Sequence, residues 1–136
     1  MIRILSTLAV LALLGACAPA KTAPSLAGSE WRPVAFGTLA VPAEVEVFVR
    51  FGAEGAVAGN GGCNSFNGSY AEAGGSLVFG PVAATRMACP DAAMAVEDAL
   101  FGALAATAAA RRDGASLVLL DGAGLELAVL QQSDWD

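Results

Sequence analysis

Histidine is absent from all 136 residues, which removes the commonest general base near neutral pH and the commonest metal ligand. Most hydrolase mechanisms lose their base with it. Cysteine is scarce, at three residues, too few for a zinc centre when no imidazole can complete the ligand set, and no cofactor is expected. Charged side chains make up only 15% of the chain and sum to a formal −6. So acidic a surface disfavours nucleic acid and anionic headgroups as partners. Apolar residues are plentiful, yet no run of them reaches the roughly 20 needed to cross a hydrocarbon core. No charge run or repeat suggests a second module.

What is present begins with an export signal. A single early charge, Arg3, precedes Leu8-Ala9-Val10-Leu11-Ala12-Leu13-Leu14 and the small residues Gly15 and Ala16, the layout of a cleavable secretory segment over residues 1–16. Leu14-Gly15-Ala16-Cys17 resembles the bacterial lipobox, which implies cleavage before Cys17 and lipidation of that cysteine. Each buried acyl methylene contributes about 0.8 kcal/mol, so several chains on one residue anchor firmly. By resemblance to Gram-negative lipoproteins, Ala18 in place of a retention aspartate points to the outer membrane, facing the periplasm. Residues 17–28, rich in Ala, Pro, Lys, Thr and Ser, read as a tether, and 29–136 as one domain that acts as a monomer. With Cys17 lipidated, Cys63 and Cys89 remain, and in an oxidising compartment an even remainder reads as one disulfide. A redox-active pair would more often be CxxC.

The domain reads as mostly β. Trp31 to Phe36 suggests a first strand at a sheet edge, because Pro33 cannot donate to a ladder. Glu44 to Phe51 alternates, with Val45, Val47, Val49 and Phe51 on one side and Glu44, Glu46, Phe48 and Arg50 on the other. Gly52-Ala53-Glu54-Gly55 turns into Ala56–Gly59, and Asn60-Gly61-Gly62 supplies residues able to take positive φ. Ser65–Ala73 places Phe66 and Tyr70 on one face, and Gly74-Gly75 returns it as Ser76–Phe79. Pro90-Asp91 starts a helix running to about Ala106. Ser116–Leu120, a turn at Asp121–Gly124 and Leu125–Leu130 close the domain as a hairpin. The expected fold class is α+β, mostly β: an antiparallel meander curled into an open barrel-like sheet with one packed α-helix.

One residue does not suit its face. At 100° per residue, Val96, Leu100, Ala93, Leu104, Phe101 and Met94 share an arc with Glu97 near its middle. A carboxylate there needs partners. Two are open: a structural pair with Arg86, which lies just before the helix, or donors from a loop backbone. A lone carboxylate with no second acid, metal or nucleophile specifies no reaction.

Gly62-Cys63-Asn64-Ser65-Phe66-Asn67-Gly68-Ser69-Tyr70, followed by Thr85-Arg86-Met87-Ala88-Cys89 and a helix carrying Glu97, resembles the META domain family, also called HslJ-like. Trp31 opening the domain is similar to the family too. The resemblance implies a compact β-rich domain with one helix in secreted or lipid-anchored bacterial proteins, one member being associated with heat shock and novobiocin resistance. It also implies likeness to the lipoprotein pilotins of secretion systems, and no enzymatic reaction. Read physically, Asn64 and Asn67 are suited to bonding nearby backbone in a tight turn, Gly62 and Gly68 to close approach or positive φ, and Cys63 to tying that turn to the segment before the helix. The alternative makes Asn64, Asn67, Thr85 and Arg86 a polar binding patch.

The leading expectation is a non-catalytic, lipid-anchored envelope protein that supports integrity or stress tolerance by binding another envelope component. A carrier of an apolar, acyl-type ligand is the alternative and requires an apolar cavity with a mouth. An enzyme would need Glu97 and Arg86 together in an open cleft. An inhibitor of a periplasmic hydrolase would need a protruding loop, and no loop here is long enough to recommend it.

Overall fold

A computed structural model describes Gly15 and residues 25–133. The signal segment apart from Gly15, the lipidation candidate Cys17, residues 18–24 of the tether and Trp135 lie outside the described residues. The elements are β1 (Ser29–Phe36), β2 (Leu39–Ala40), β3 (Phe48–Phe51), a 3-10 turn at Ala53–Gly55, β4 (Ala56–Asn60), β5 (Ser65–Ala73), β6 (Ser76–Phe79), β7 (Ala83–Ala84), α1 (Asp91–Ala106), β8 (Ala109–Asp113), β9 (Ser116–Leu120) and β10 (Glu126–Gln132). All pairings are antiparallel. The sheet curls into a ring in the order β10-β9-β8-β6-β5-β4-β3-β1, and β1 pairs with β10 to complete it. The barrel-like sheet with one packed helix is therefore present, and its ring is more complete than an open barrel. Its narrowest join is β6 to β8, where Ser76 opposite Ala109 is the one registered pair.

The period-2 pattern explains the core. Trp31, Val49, Phe51, Val57, Phe66, Tyr70, Leu77, Leu117, Leu119 and Leu130 point inward from the ring and are buried, and α1 adds Val96, Leu100, Ala103 and Leu104 to the same cluster. The helix lays that face against β1, β6 and β10. Trp31 is wholly enclosed; its Nε1 donates to Ser29 Oγ at 2.7 Å, and the Arg112 guanidinium stands 5.1 Å from the ring centroid. The interior of the ring is occupied by side chains.

Three expectations need correction. β1 is not an edge, since β10 lies on one side and β3 and β2 on the other. Pro33 is accommodated because β3 ends opposite Trp31, β2 begins opposite Ala35, and the β1–β10 register shifts between Pro33 and Ala35. The strand expected from Glu44 is paired only from Phe48. Val45 N–H donates to Pro42 O, and the Arg32 guanidinium donates to the carbonyls of Val45 and Pro42, which holds that stretch as a loop. Val45 and Val47 are buried there all the same. Finally, β8 was not foreseen, because Ala109-Ala110-Arg111-Arg112-Asp113 carries little strand propensity; it forms by pairing along β9.

Tyr70, the only tyrosine in the chain, packs edge-on against Phe51 at 4.9 Å and donates its hydroxyl to Gly52 O at 3.0 Å. Burial raises its phenol above the ordinary value of 10.0, and the Glu72 carboxylate adds to the effect. A raised folded-state pKa means that the unfolded chain ionises first, so this contribution to stability is complete below about pH 10 and is lost as pH rises through the folded value. Ultraviolet titration of the phenolate should give a midpoint above 10 in the folded protein and near 10 in denaturant. Equal midpoints would contradict the buried placement.

Candidate functional site

The family-signature residues converge where β5 begins, where the segment before α1 passes, and where the second turn of α1 packs. Asn60-Gly61-Gly62 forms the approach. Asn60 Oδ1 accepts the Gly62 N–H at 2.8 Å, and Gly61 N–H donates to Asn64 O at 2.8 Å. Glycine is required in this loop. A Cβ on Gly61 would lie 2.9 Å from Glu97 Cγ and Oε1, and one on Gly62, at φ +127°, would lie 2.8 Å from the Ala93 carbonyl. Loop and helix are thus in backbone contact. Cys63 and Cys89 form a disulfide with Cα atoms 5.8 Å apart, a crosslink that contributes about 3 kcal/mol in the chain-entropy model for a loop of this length.

At the centre is Asn64, buried and fully hydrogen-bonded. Its backbone N–H donates to Glu97 Oε1 at 2.6 Å and its Nδ2 to Glu97 Oε2 at 2.8 Å. Nδ2 also donates to Met87 O at 3.2 Å, while Oδ1 accepts from Met87 N at 2.6 Å and Thr85 Oγ1 at 2.9 Å. Both oxygens of Glu97, which is only 4% exposed, are therefore engaged by one residue. Of the two partners open to Glu97, the geometry has the loop backbone. Arg86 is exposed and makes no ion pair with it; among the described residues the salt bridges are Arg50–Glu30 and Arg111–Glu126. The alternative pair with Arg86 is absent: in this segment Thr85 Oγ1 and the Met87 backbone bond to Asn64, and Arg86 stands between them with its side chain exposed.

The turn roles expected of Asn64 and Asn67 also need correction. The turn bond belongs to Asn60, Asn64 reaches across to another segment, and Asn67 sits in β5 opposite Ala58 and Ala83 with an exposed side chain. Phe66 is a core residue, edge-on to Phe101 at 5.6 Å, and Tyr70 belongs to the core as described. Gly68 allows the Pro81-Val82 segment to cross closely, since a Cβ there would meet Pro81 O at 3.1 Å. Thr85, Arg86 and Met87 form an exposed segment, with Met87 58% exposed.

Two shallow grooves flank that segment. One, of about 420 Å³, runs over the outer sheet face past Phe48, Arg50, Asn67 and Ala84. The other, of about 370 Å³, lies between Arg86-Met87 and the α1 side chains Met94, Glu97, Asp98 and Phe101. Sequence reasoning missed Asn60, Asp98 and the pairing of Phe48 with Arg50. The guanidinium carbon stands 5.3 Å from the Phe48 ring centroid, a contact that the shared outer face of Phe48 and Arg50 already hinted at. No group of three metal-ligating side chains occurs among the described residues. No described helix is long and apolar enough to cross a membrane.

Comparison with known proteins bears on the same residues. The META domain family model matches residues 24–134. An NMR structure of a protein from Burkholderia xenovorans superposes with a TM-score of 0.69 at 24% identity, covering 99% of this chain and 100% of that one. A crystal structure of a DUF4847 family protein from Bacteroides vulgatus gives 0.59 at 13% identity, covering 82% and 96%. At these identities the likeness is one of fold. No curated protein matches the chain significantly.

Proposed function

For a chain that belongs to the META domain family, we propose a non-catalytic, lipid-anchored envelope protein whose domain supports envelope integrity or stress tolerance by binding another envelope component. The observation that carries this reading is the commitment of the buried polar network. Asn64, Glu97 and the disulfide hold the exposed segment 85–88 in place, and both oxygens of Glu97 are engaged in doing so. Buried polar groups of this kind rigidify what they bond, and a rigid exposed segment is suited to recognition. An enzyme would need Glu97 and Arg86 in one open cleft; both line the groove beside α1, but Glu97 is only 4% exposed and both its oxygens are bonded to Asn64. A carrier of an acyl-type ligand would need room inside the ring, where Trp31, Phe51, Leu77 and Leu119 already sit. Membrane attachment through lipid on Cys17, with the domain in the periplasm, completes the proposal.

Intact-mass spectrometry of the protein from detergent-solubilised envelopes tests it. The denatured chain should show cleavage before Cys17, added acyl mass, and a gain of two hydrogens on reduction. The native spectrum should show a protein partner. An unlipidated chain would overturn the anchoring, and a bound small apolar molecule in place of a protein would favour the carrier.

A further inference from the structure

Along residues 83–88 the backbone hydrogen bonds alternate. Ala83 is registered with Asn67 in the β5–β7 ladder, Thr85 N–H donates to Ser65 O at 3.1 Å, and Met87 exchanges two bonds with the Asn64 side chain. The Asn64 amide thus substitutes for a peptide unit and continues the ladder past the start of β5. Ala84, registered with Phe66, falls between the bonded positions Ala83 and Thr85, the place of a non-hydrogen-bonded pair in an antiparallel ladder. Arg86 and Ala88 make no backbone hydrogen bond with any described residue. All six residues are exposed. The result is a row of unpaired N–H and C=O groups about 20 Å long, at about 3.3 Å per residue. It is tied from within by the ladder at one end and by Asn64 and the disulfide at the other.

Proteins ordinarily blunt such edges, because an open row of backbone groups is a template for another strand. Among the described strands, β2 and β7 each pair with a single neighbour, and the edge at β7 is braced by the buried network of Asn64 and Glu97. Beyond it lies the groove walled by Met94 and Phe101 of α1, with Met87 on the near side. The row calls for a main chain with complementary N–H and C=O groups. Arg86, exposed, has no ion-pair partner among the described residues in a chain of net −6, so it complements a carboxylate. We infer that the edge at 83–88 takes up an extended segment of a partner polypeptide as an added strand, with an acidic side chain beside Arg86 and apolar ones toward Met87 and Phe101. This names the site and the partner's chemistry for the binding reading above, and rests on it.

The test places the photo-crosslinker p-benzoylphenylalanine at Ala84, Arg86 or Ala88, one position at a time, in the full-length chain in intact cells. Val78 and Leu125, exposed elsewhere on the domain, serve as control positions. The expected result is one partner protein, crosslinked at residues that step by two along a single segment. Ala84→Pro removes one unpaired N–H and leaves the β5–β7 bonds intact. It should cut crosslinking at 86 and 88 about tenfold without changing the melting temperature. Should that variant unfold, Arg86→Pro serves in its place. Arg86→Glu should abolish the crosslink from 84, and Arg86→Lys should keep it. Crosslinks that survive proline, that do not step by two, or that reach a second copy of this chain would overturn the inference. Crosslinks to an envelope protein from Val78 or Leu125 alone would overturn the edge and leave the binding reading. Silence at all five positions would overturn both.

Discussion

Glu97→Ala is expected to destabilise the domain by about 3 kcal/mol. The loss follows from what remains behind: the backbone N–H of Asn64 and one Nδ2 hydrogen would stay buried without acceptors, at about 1–3 kcal/mol for each unsatisfied group. The Gly61 backbone, now seated against the Glu97 side chain, would also lose its contact. Glu97→Gln keeps the shape and one acceptor oxygen but presents an amide donor to a donor, so about half the loss is expected. Urea unfolding followed by circular dichroism measures both. An alanine effect below about 1 kcal/mol would mean that water replaces the carboxylate and that the corner is looser than its hydrogen bonds imply.

Trp31→Ala should cost more, about 4 kcal/mol, in the range for deleting a large aromatic from a close-packed core. The indole is wholly enclosed in the ring between β3 and β10, so little relaxation can fill the space. Trp31→Phe separates packing from polarity. It retains most of the ring volume but leaves Ser29 Oγ without the indole donor, and about 1–2 kcal/mol is expected. Guanidinium denaturation of the two variants decides the matter, and equal losses would assign Trp31's value to its hydrogen bond.

The elements with strong local signals were legible in the sequence. The alternation from Val45 to Phe51, the shared face of Phe66 and Tyr70, and the helix from Asp91 to Ala106 all appear with the faces expected of them, because burial of one face and local periodicity agree there. What could not be read depended on partners distant in sequence. Pro33 marks an edge by its own chemistry, yet its neighbours β2 and β3 leave a gap where its missing N–H is needed least. The arginine-rich β8 becomes a strand only because β9 offers it a ladder. At the site, Glu97 was legible as anomalous from helical phase alone. Its partner was not, because a charge-based search favours Arg86, whereas the bonds come from an asparagine 33 residues away. The role of Asn64 was hidden for the same reason: nothing local distinguishes an asparagine that closes a turn from one that substitutes for a strand.

The pairing of β1 with β10 joins the two ends of the domain, Trp31 opposite Gln132. Contacts so remote in sequence carry a large loop-closure cost before any of them is rewarded, and they slow folding. The ring therefore stays incomplete until the last strand is available, with β1 and β9 each lacking the neighbour that β10 provides. A chain interrupted at the turn between β9 and β10 would keep most of its apolar residues and still present two open strand edges. Its failure would be aggregation rather than a modest loss of stability, which makes the final strand the folding checkpoint of the molecule.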